Sequence, residues 1–139
     1  MFSHDVRIRV CYADTDQMGY VYYGNYSRFY EIGRTEALRS LGFSYKEIED
    51  AGTMMPVYES KSRYLQPARY DDVLTIRVML RKKPAVRIVF EYEVYNESGT
   101  LLNTGETTLV FVNRANNRPC PAPAELSRML EPHFAHEFP

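Results

Sequence analysis

Hydrophobic and polar positions follow two rhythms along the chain, and each change of rhythm marks an element. Val6-Arg7-Ile8-Arg9-Val10 alternates apolar with basic residues, the two-residue period of a half-buried strand. From Tyr26 the apolar positions fall at Tyr26, Phe29, Tyr30, Gly33, Ala37 and Leu41, one stripe of an amphipathic helix. Arg28, Glu31, Thr35 and Arg39 take the other face, where Glu31 and Arg34, one turn apart, are expected to pair at the surface. Asn25 after Gly24 is the expected cap, and Gly42 stands where a helix end favours glycine. Ser44 with Glu47 three residues on predicts a short capped helix that stops at Gly52. Strand patterns then run over Met54–Tyr64, Val73–Lys82, Ile88–Tyr95 and Leu101–Val112. In the second of these, Leu74, Ile76, Val78 and Leu80 share one face while Thr75, Arg77 and Arg81 share the other. A hairpin turn is expected at Asn96–Gly99, a proline-bearing loop from Asn113 to Pro123, and a terminal helix from Ala124 to Glu131. One long helix followed by a run of antiparallel strands predicts an α+β fold, a sheet wrapped around a helix, as one domain over residues 1–139.

The stretch before the long helix carries the candidate chemistry. Ala13 to Gly19 is a polar turn containing Asp14, Thr15 and Asp16, followed by the aromatic run Tyr20–Tyr23. A helix N-terminus presents unpaired backbone N–H groups and partial positive charge, which favours a developing oxyanion. A carboxylate and an oxyanion site joined by one turn suffice for attack on a carbonyl. The plainer reading of Asp16 is a turn residue bonded to its own backbone, and Asp14 is expected to fix the turn. Gly33 inside the buried stripe costs about 1 kcal/mol relative to alanine, so close approach of the helix to a sheet is expected there.

The pattern Y-x-D-T-D-x-x-G-x-V-Y-x-x-x-Y from Tyr12, then E-x-x-R-x-E-x-L-R from Glu31, resembles the hotdog-fold acyl-CoA thioesterases of the 4-hydroxybenzoyl-CoA thioesterase group. Within it the chain is most similar to the small bacterial acyl-CoA thioesterases associated with the Tol-Pal cell-envelope genes. The resemblance implies a hotdog fold, with an antiparallel sheet around one central helix, and hydrolysis of acyl-CoA to free acid and coenzyme A. It implies that Asp16, the second Asp of D-x-D, is the catalytic carboxylate, as nucleophile or as general base. The backbone N–H of Tyr23 is then the oxyanion donor. Relatives often carry histidine at the position of Tyr23, a change that a backbone N–H survives. Relatives also form homodimers and dimers of dimers, with the D-x-D turn meeting the strand segment Val57–Tyr64 of a neighbour.

Composition narrows the alternatives. A formal charge of −1 gives no field for nucleic acid, and no apolar run is long enough to span a membrane. The twelve tyrosines suit surfaces dry on one side and wet on the other. Tyr20, Tyr22 and Tyr26 are candidates for the acyl pocket beside the default role of packing. Arg81, Lys82, Lys83 and Arg87 are candidates for the coenzyme A phosphates beside the default of a solvated hairpin end. Cys11 and Cys120 have no metal or redox spacing and read as reduced thiols of a cytoplasmic protein. His4, His133 and His136 sit at the termini, which disfavours a Ser-His-Asp triad, a metalloenzyme and a histidine-dependent hotdog hydratase or dehydratase. No metal or redox cofactor is expected, and coenzyme A enters only as part of the substrate. A non-catalytic acyl-thioester binding protein is the remaining alternative.

Overall fold

The structure is a computed structural model that describes residues 1–135. In chain order the elements are β1 (Phe2–Arg9), α1 (Tyr26–Ser40), α2 (Tyr45–Asp50), β2 (Thr53–Met54), β3 (Val57–Tyr64), β4 (Val73–Leu80), β5 (Arg87–Tyr95), β6 (Leu101–Val110), β7 (Val112–Asn113), β8 (Arg118–Pro119) and α3 (Ala124–Phe134). Five strands form an antiparallel sheet in the order β1-β4-β5-β6-β3, and β2, β7 and β8 form a second, small one. The main sheet wraps around α1 in the hotdog arrangement.

Alternation explains which face α1 covers. Leu74, Ile76, Val78 and Leu80 of β4 are buried, as are Ile88, Phe90, Tyr92 and Val94 of β5. Against them α1 buries Tyr26, Phe29, Tyr30, Gly33, Arg34, Ala37 and Leu38. A Cβ on Gly33 would lie 2.8 Å from Val78 Cγ2 and 3.1 Å from Ile76 Cγ2, so the helix backbone rests directly on β4 as its glycine implied. Gly42, at φ +93°, ends α1, and Phe43 N–H closes back on Leu38 C=O at 3.0 Å. Ser44 caps α2 by accepting from Glu47 N–H at 3.1 Å.

Several boundaries differ from the sequence reading. β1 starts at Phe2 because its pairing with β4 runs unbroken from Phe2↔Leu80 to Arg9↔Val73. The strand expected over Met54–Tyr64 is split at Met55 and Pro56, and its first part belongs to the small sheet. The loop from Asn113 to Pro123 contains β8. α3 continues past Glu131, through Pro132, to Phe134. Asn25 is not a side-chain cap: a 3₁₀ turn at Tyr23–Asn25 runs straight into α1, giving Asn25 helical angles. Glu31 and Arg34 form no ion pair; Arg34 is buried and its Nε donates to Tyr45 Oη at 3.0 Å. His136 lies outside the described residues.

Every residue of β3 is exposed. It is the edge of the sheet, and α1 does not cover its inward side chains. Ser60 and Ser62 pair in register with the inward-facing Thr107 and Gly105 of β6.

Candidate active site

The D-x-D turn is held by hydrogen bonds that give its two carboxylates different circumstances. Asp14 is buried; its Oδ2 accepts Cys11 N–H at 2.8 Å and its Oδ1 pairs with Arg28 of α1. Its carbonyl accepts Tyr22 N–H and Asn25 Nδ2, both at 2.8 Å. Asp14 thus fastens the turn to the head of α1, which is also what Asn25 does instead of capping. Thr15 bridges to Val21, Asp16 N–H donates to Tyr20 C=O at 2.9 Å, and Gly19 closes the turn at φ +79°.

Asp16 is half-buried and its Oδ1 accepts Met18 N–H at 2.9 Å, a local turn bond of the plain kind. Among the described residues its Oδ2 has no partner. Tyr22 has its phenol pKa raised, chiefly by the neighbouring Tyr23 phenol, with the Asp16 charge adding to the shift. At the head of α1, Asn25 N–H donates to Tyr22 C=O at 2.9 Å, while Tyr23 and Gly24 stand first in the 3₁₀ turn. Their N–H groups have no protein partner among the described residues, as the opening of a helix requires. One bridged turn therefore joins a carboxylate with a free oxygen to two unpaired N–H groups.

The aromatic candidates divide. Tyr20 lies under Arg69, with the guanidinium 5.0 Å from the ring centre. Tyr22 and Tyr23 are exposed and tilted against each other at 4.7 Å. Tyr26 is buried against Phe29, Tyr30 and Tyr64, a packing position within one chain. The basic candidates stand apart from the turn. Arg81, Lys82 and Lys83 follow β4 at its Phe2 end, whereas the D-x-D turn follows β1 at its Arg9 end, roughly 25 Å of strand away. Arg81 pairs with Glu91 at 2.6 Å, Lys83 pairs with Glu131, and Arg87 lies over the Tyr58 ring at 4.7 Å.

A groove of about 500 Å³ follows α1 from Gly24 to Arg34, with Ser60 and Thr107 on its strand side. Two buried polar clusters lie along it. In one, Tyr30 Oη bonds Ser62 and Asn103, and Asn103 Nδ2 donates to Arg63 C=O at 3.0 Å, so every group is engaged. A Cβ at Gly105 would lie 2.4 Å from that Tyr30 ring, so only glycine leaves room for it. In the other, Tyr92 Oη and Thr107 Oγ1 are buried and form no hydrogen bond of normal length among the described residues, although Thr107 and Arg34 both act on the Tyr92 phenol as hydrogen-bonding neighbours. Burial pushes the Tyr92 phenol up to about 12, with the Arg34 charge opposing. Arg34, 8% exposed, has no carboxylate within ion-pair reach among the described residues. Sequence reasoning missed this cluster, although the spacing Tyr26, Tyr30, Arg34 already places the arginine in the buried stripe.

Comparison with known proteins shows the family of the chain. The family model described as Thioesterase-like superfamily matches residues 10–130. The chain is similar to the acyl-CoA thioester hydrolase YbgC of Escherichia coli, 34% identical over 119 residues, covering 86% of this chain and 89% of that one. It is 27% identical over 128 residues to the 1,4-dihydroxy-2-naphthoyl-CoA hydrolase of Thermosynechococcus vestitus, covering 91% of this chain and 88% of that one. Among solved structures it resembles a DHNA-CoA thioesterase from Staphylococcus aureus, with TM-score 0.83 and 30% identity over 97% of this chain and 85% of that one.

Proposed function

The chain belongs to the thioesterase-like superfamily, and from that premise we infer that it hydrolyses acyl-CoA thioesters to free acid and coenzyme A. The observation that carries the reading is that one bridged turn links Asp16, whose Oδ2 has no partner among the described residues, to the N–H groups of Tyr23 and Gly24, which likewise have none there. A thioester is a good electrophile because sulfur donates little resonance and thiolate departs readily, so modest assistance suffices. The carbonyl oxygen sits at the head of α1, where one such donor contributes about 3 kcal/mol in the transition state. Asp16 then attacks the carbonyl carbon, expelling the thiolate and leaving an anhydride that water opens, or it takes a proton from an attacking water. Either route needs no metal or redox cofactor, and coenzyme A takes part only as substrate.

The working unit is a homodimer. β3 is an uncovered edge with bare inward side chains, which proteins protect by pairing. A second copy across it brings a neighbour's D-x-D turn toward the groove, and outer sheet faces remain for a dimer of dimers. Arg81, Lys82, Lys83 and Arg87 then serve coenzyme A only if a partner chain brings them to the seam. No helix among the described residues is long and apolar enough to cross a membrane. The cytoplasm, where acyl-CoA is made and thiols stay reduced, is the compartment the reading calls for.

An acyl-CoA panel followed by thiol release tests the activity. Asp16→Asn is expected to keep the fold and substrate binding and to lower turnover by at least about 100-fold. Near-normal rates in that variant would remove Asp16 from the chemistry, and release from no member of the panel would favour a binding protein.

A further inference from the structure

We propose that Asn25 is a positioning residue of the reaction: its side-chain amide fixes the Asp16 carboxylate relative to the N–H groups of Tyr23 and Gly24. The inference rests on the thioesterase reading for what those groups do; the joint itself is a matter of geometry. At its centre is the Asp14 carbonyl, which accepts Tyr22 N–H and Asn25 Nδ2, both at 2.8 Å. The two bonds use both lone pairs of that oxygen. Their donors stand on either side of Tyr23 and Gly24. Asn25 N–H also returns to Tyr22 C=O at 2.9 Å, so the Tyr23–Gly24 pair lies in a loop closed at both ends. On the other side of the joint, Asp16 follows Asp14 by one intervening residue. The Thr15–Val21 bridge and the bond from Asp16 N–H to Tyr20 C=O hold it there.

Tyr22 N–H, Arg28 and Asn25 Nδ2 all tie Asp14 to the head of α1, but they do not constrain it equally. The Tyr22 bond continues the Thr15–Val21 bridge and holds the chain only as far as residue 22, leaving the torsions beyond it free to swing α1. Arg28 reaches the Asp14 carboxylate with a long side chain that is 49% exposed, so solvent competes for the contact. Asn25 is half-buried, and its short side chain has little freedom to lose. It bonds no N–H of α1, so its amide is not occupied in capping. An aspartate of the same size would present only acceptors to the carbonyl. Attack on a carbonyl needs its groups closely placed, and a misplacement of about 1 Å can cost about 100-fold.

The test is a double-substitution cycle on the full-length protein, read by thiol release from octanoyl-CoA and benzoyl-CoA or a faster member of the panel. Asn25→Ala is expected to lower kcat at least about tenfold, while the Kd of the matching non-hydrolysable thioether stays within about twofold. In an Asp16→Asn background the same substitution is expected to cost less than about threefold, because no carboxylate is left to place. A purely structural role would lower activity by the same factor in both backgrounds, in step with the folded fraction. Equal factors therefore overturn the proposal, as does an unchanged kcat or a loss carried by Kd. Asn25→Asp keeps the side-chain volume and is a second variant, expected to repeat the loss near neutral pH. If neither variant folds, Asn25 holds the fold rather than the site, and the proposal fails. A natural protein inactive on the whole panel instead overturns the thioesterase reading, an outcome distinct from an active enzyme without the coupling.

Discussion

At the scale of single residues, Asp14 and Asp16 separate by what their oxygens touch. Both oxygens of Asp14 are engaged, one by Cys11 N–H and one by Arg28, whereas one oxygen of Asp16 has no partner among the described residues. Asp14→Ala is therefore expected to act on stability, leaving Cys11 N–H without its acceptor and costing about 1–3 kcal/mol. Urea unfolding measures this, and a midpoint equal to that of the natural protein would contradict the anchoring role. The D-x-D spacing and the structural role of Asp14 were legible in the sequence because turn chemistry is local. Asn25 was misread for a related reason: Gly-Asn before an apolar stripe looks like a cap, but a 3₁₀ turn ahead of α1 moves the helical angles back to it. Arg34 escaped because a charged residue among apolar ones reads as surface; its burial is made tolerable by Tyr45, which accepts from its Nε, and by the neighbouring Tyr92 phenol, both from other elements.

At the scale of elements, α1 and β4 are legible together because each has a strict period and Gly33 marks where they touch. Gly33→Ala tests that contact. Alanine gains roughly 1 kcal/mol of helix propensity, but its Cβ would meet Val78 at 2.8 Å, and forcing a methyl into a packed core costs about 1–3 kcal/mol. The expected net result is a lower melting temperature, and an increase would mean that β4 yields easily. β3 was only half legible. Its end at Tyr64 follows from the sequence, but the break at Met55 and Pro56 was not read there, and its complete exposure depends on where α1 stops covering the sheet, which no local pattern records.

At the scale of the molecule, the uncovered β3 predicts assembly. Sedimentation of the natural protein should give at least twice the chain mass, with activity falling in step with dissociation on dilution. An active, stable monomer would contradict the shared site. Alkaline unfolding is a second whole-molecule expectation. Burial raises Tyr26 and Tyr92 from 10.0 to about 12 in the folded chain, so the unfolded chain loses those protons first as pH rises. Stability contributed by the two phenols is complete below pH 10.0 and is lost progressively toward pH 12, which pH-dependent thermal melts would show as a falling midpoint.

Tyr30 and Gly105 carry a consequence for descent. The ring fits only because position 105 has no side chain, and its hydroxyl is held by Ser62 and Asn103 on two further strand positions. Over evolutionary time the two positions form one inherited unit. A lineage that acquires a side chain at 105 has to shed the ring at 30 first, leaving Ser62 and Asn103 to find other partners. Tyrosine at 30 and glycine at 105 should therefore be kept or lost together among descendants of this chain, however freely the exposed residues of β3 drift.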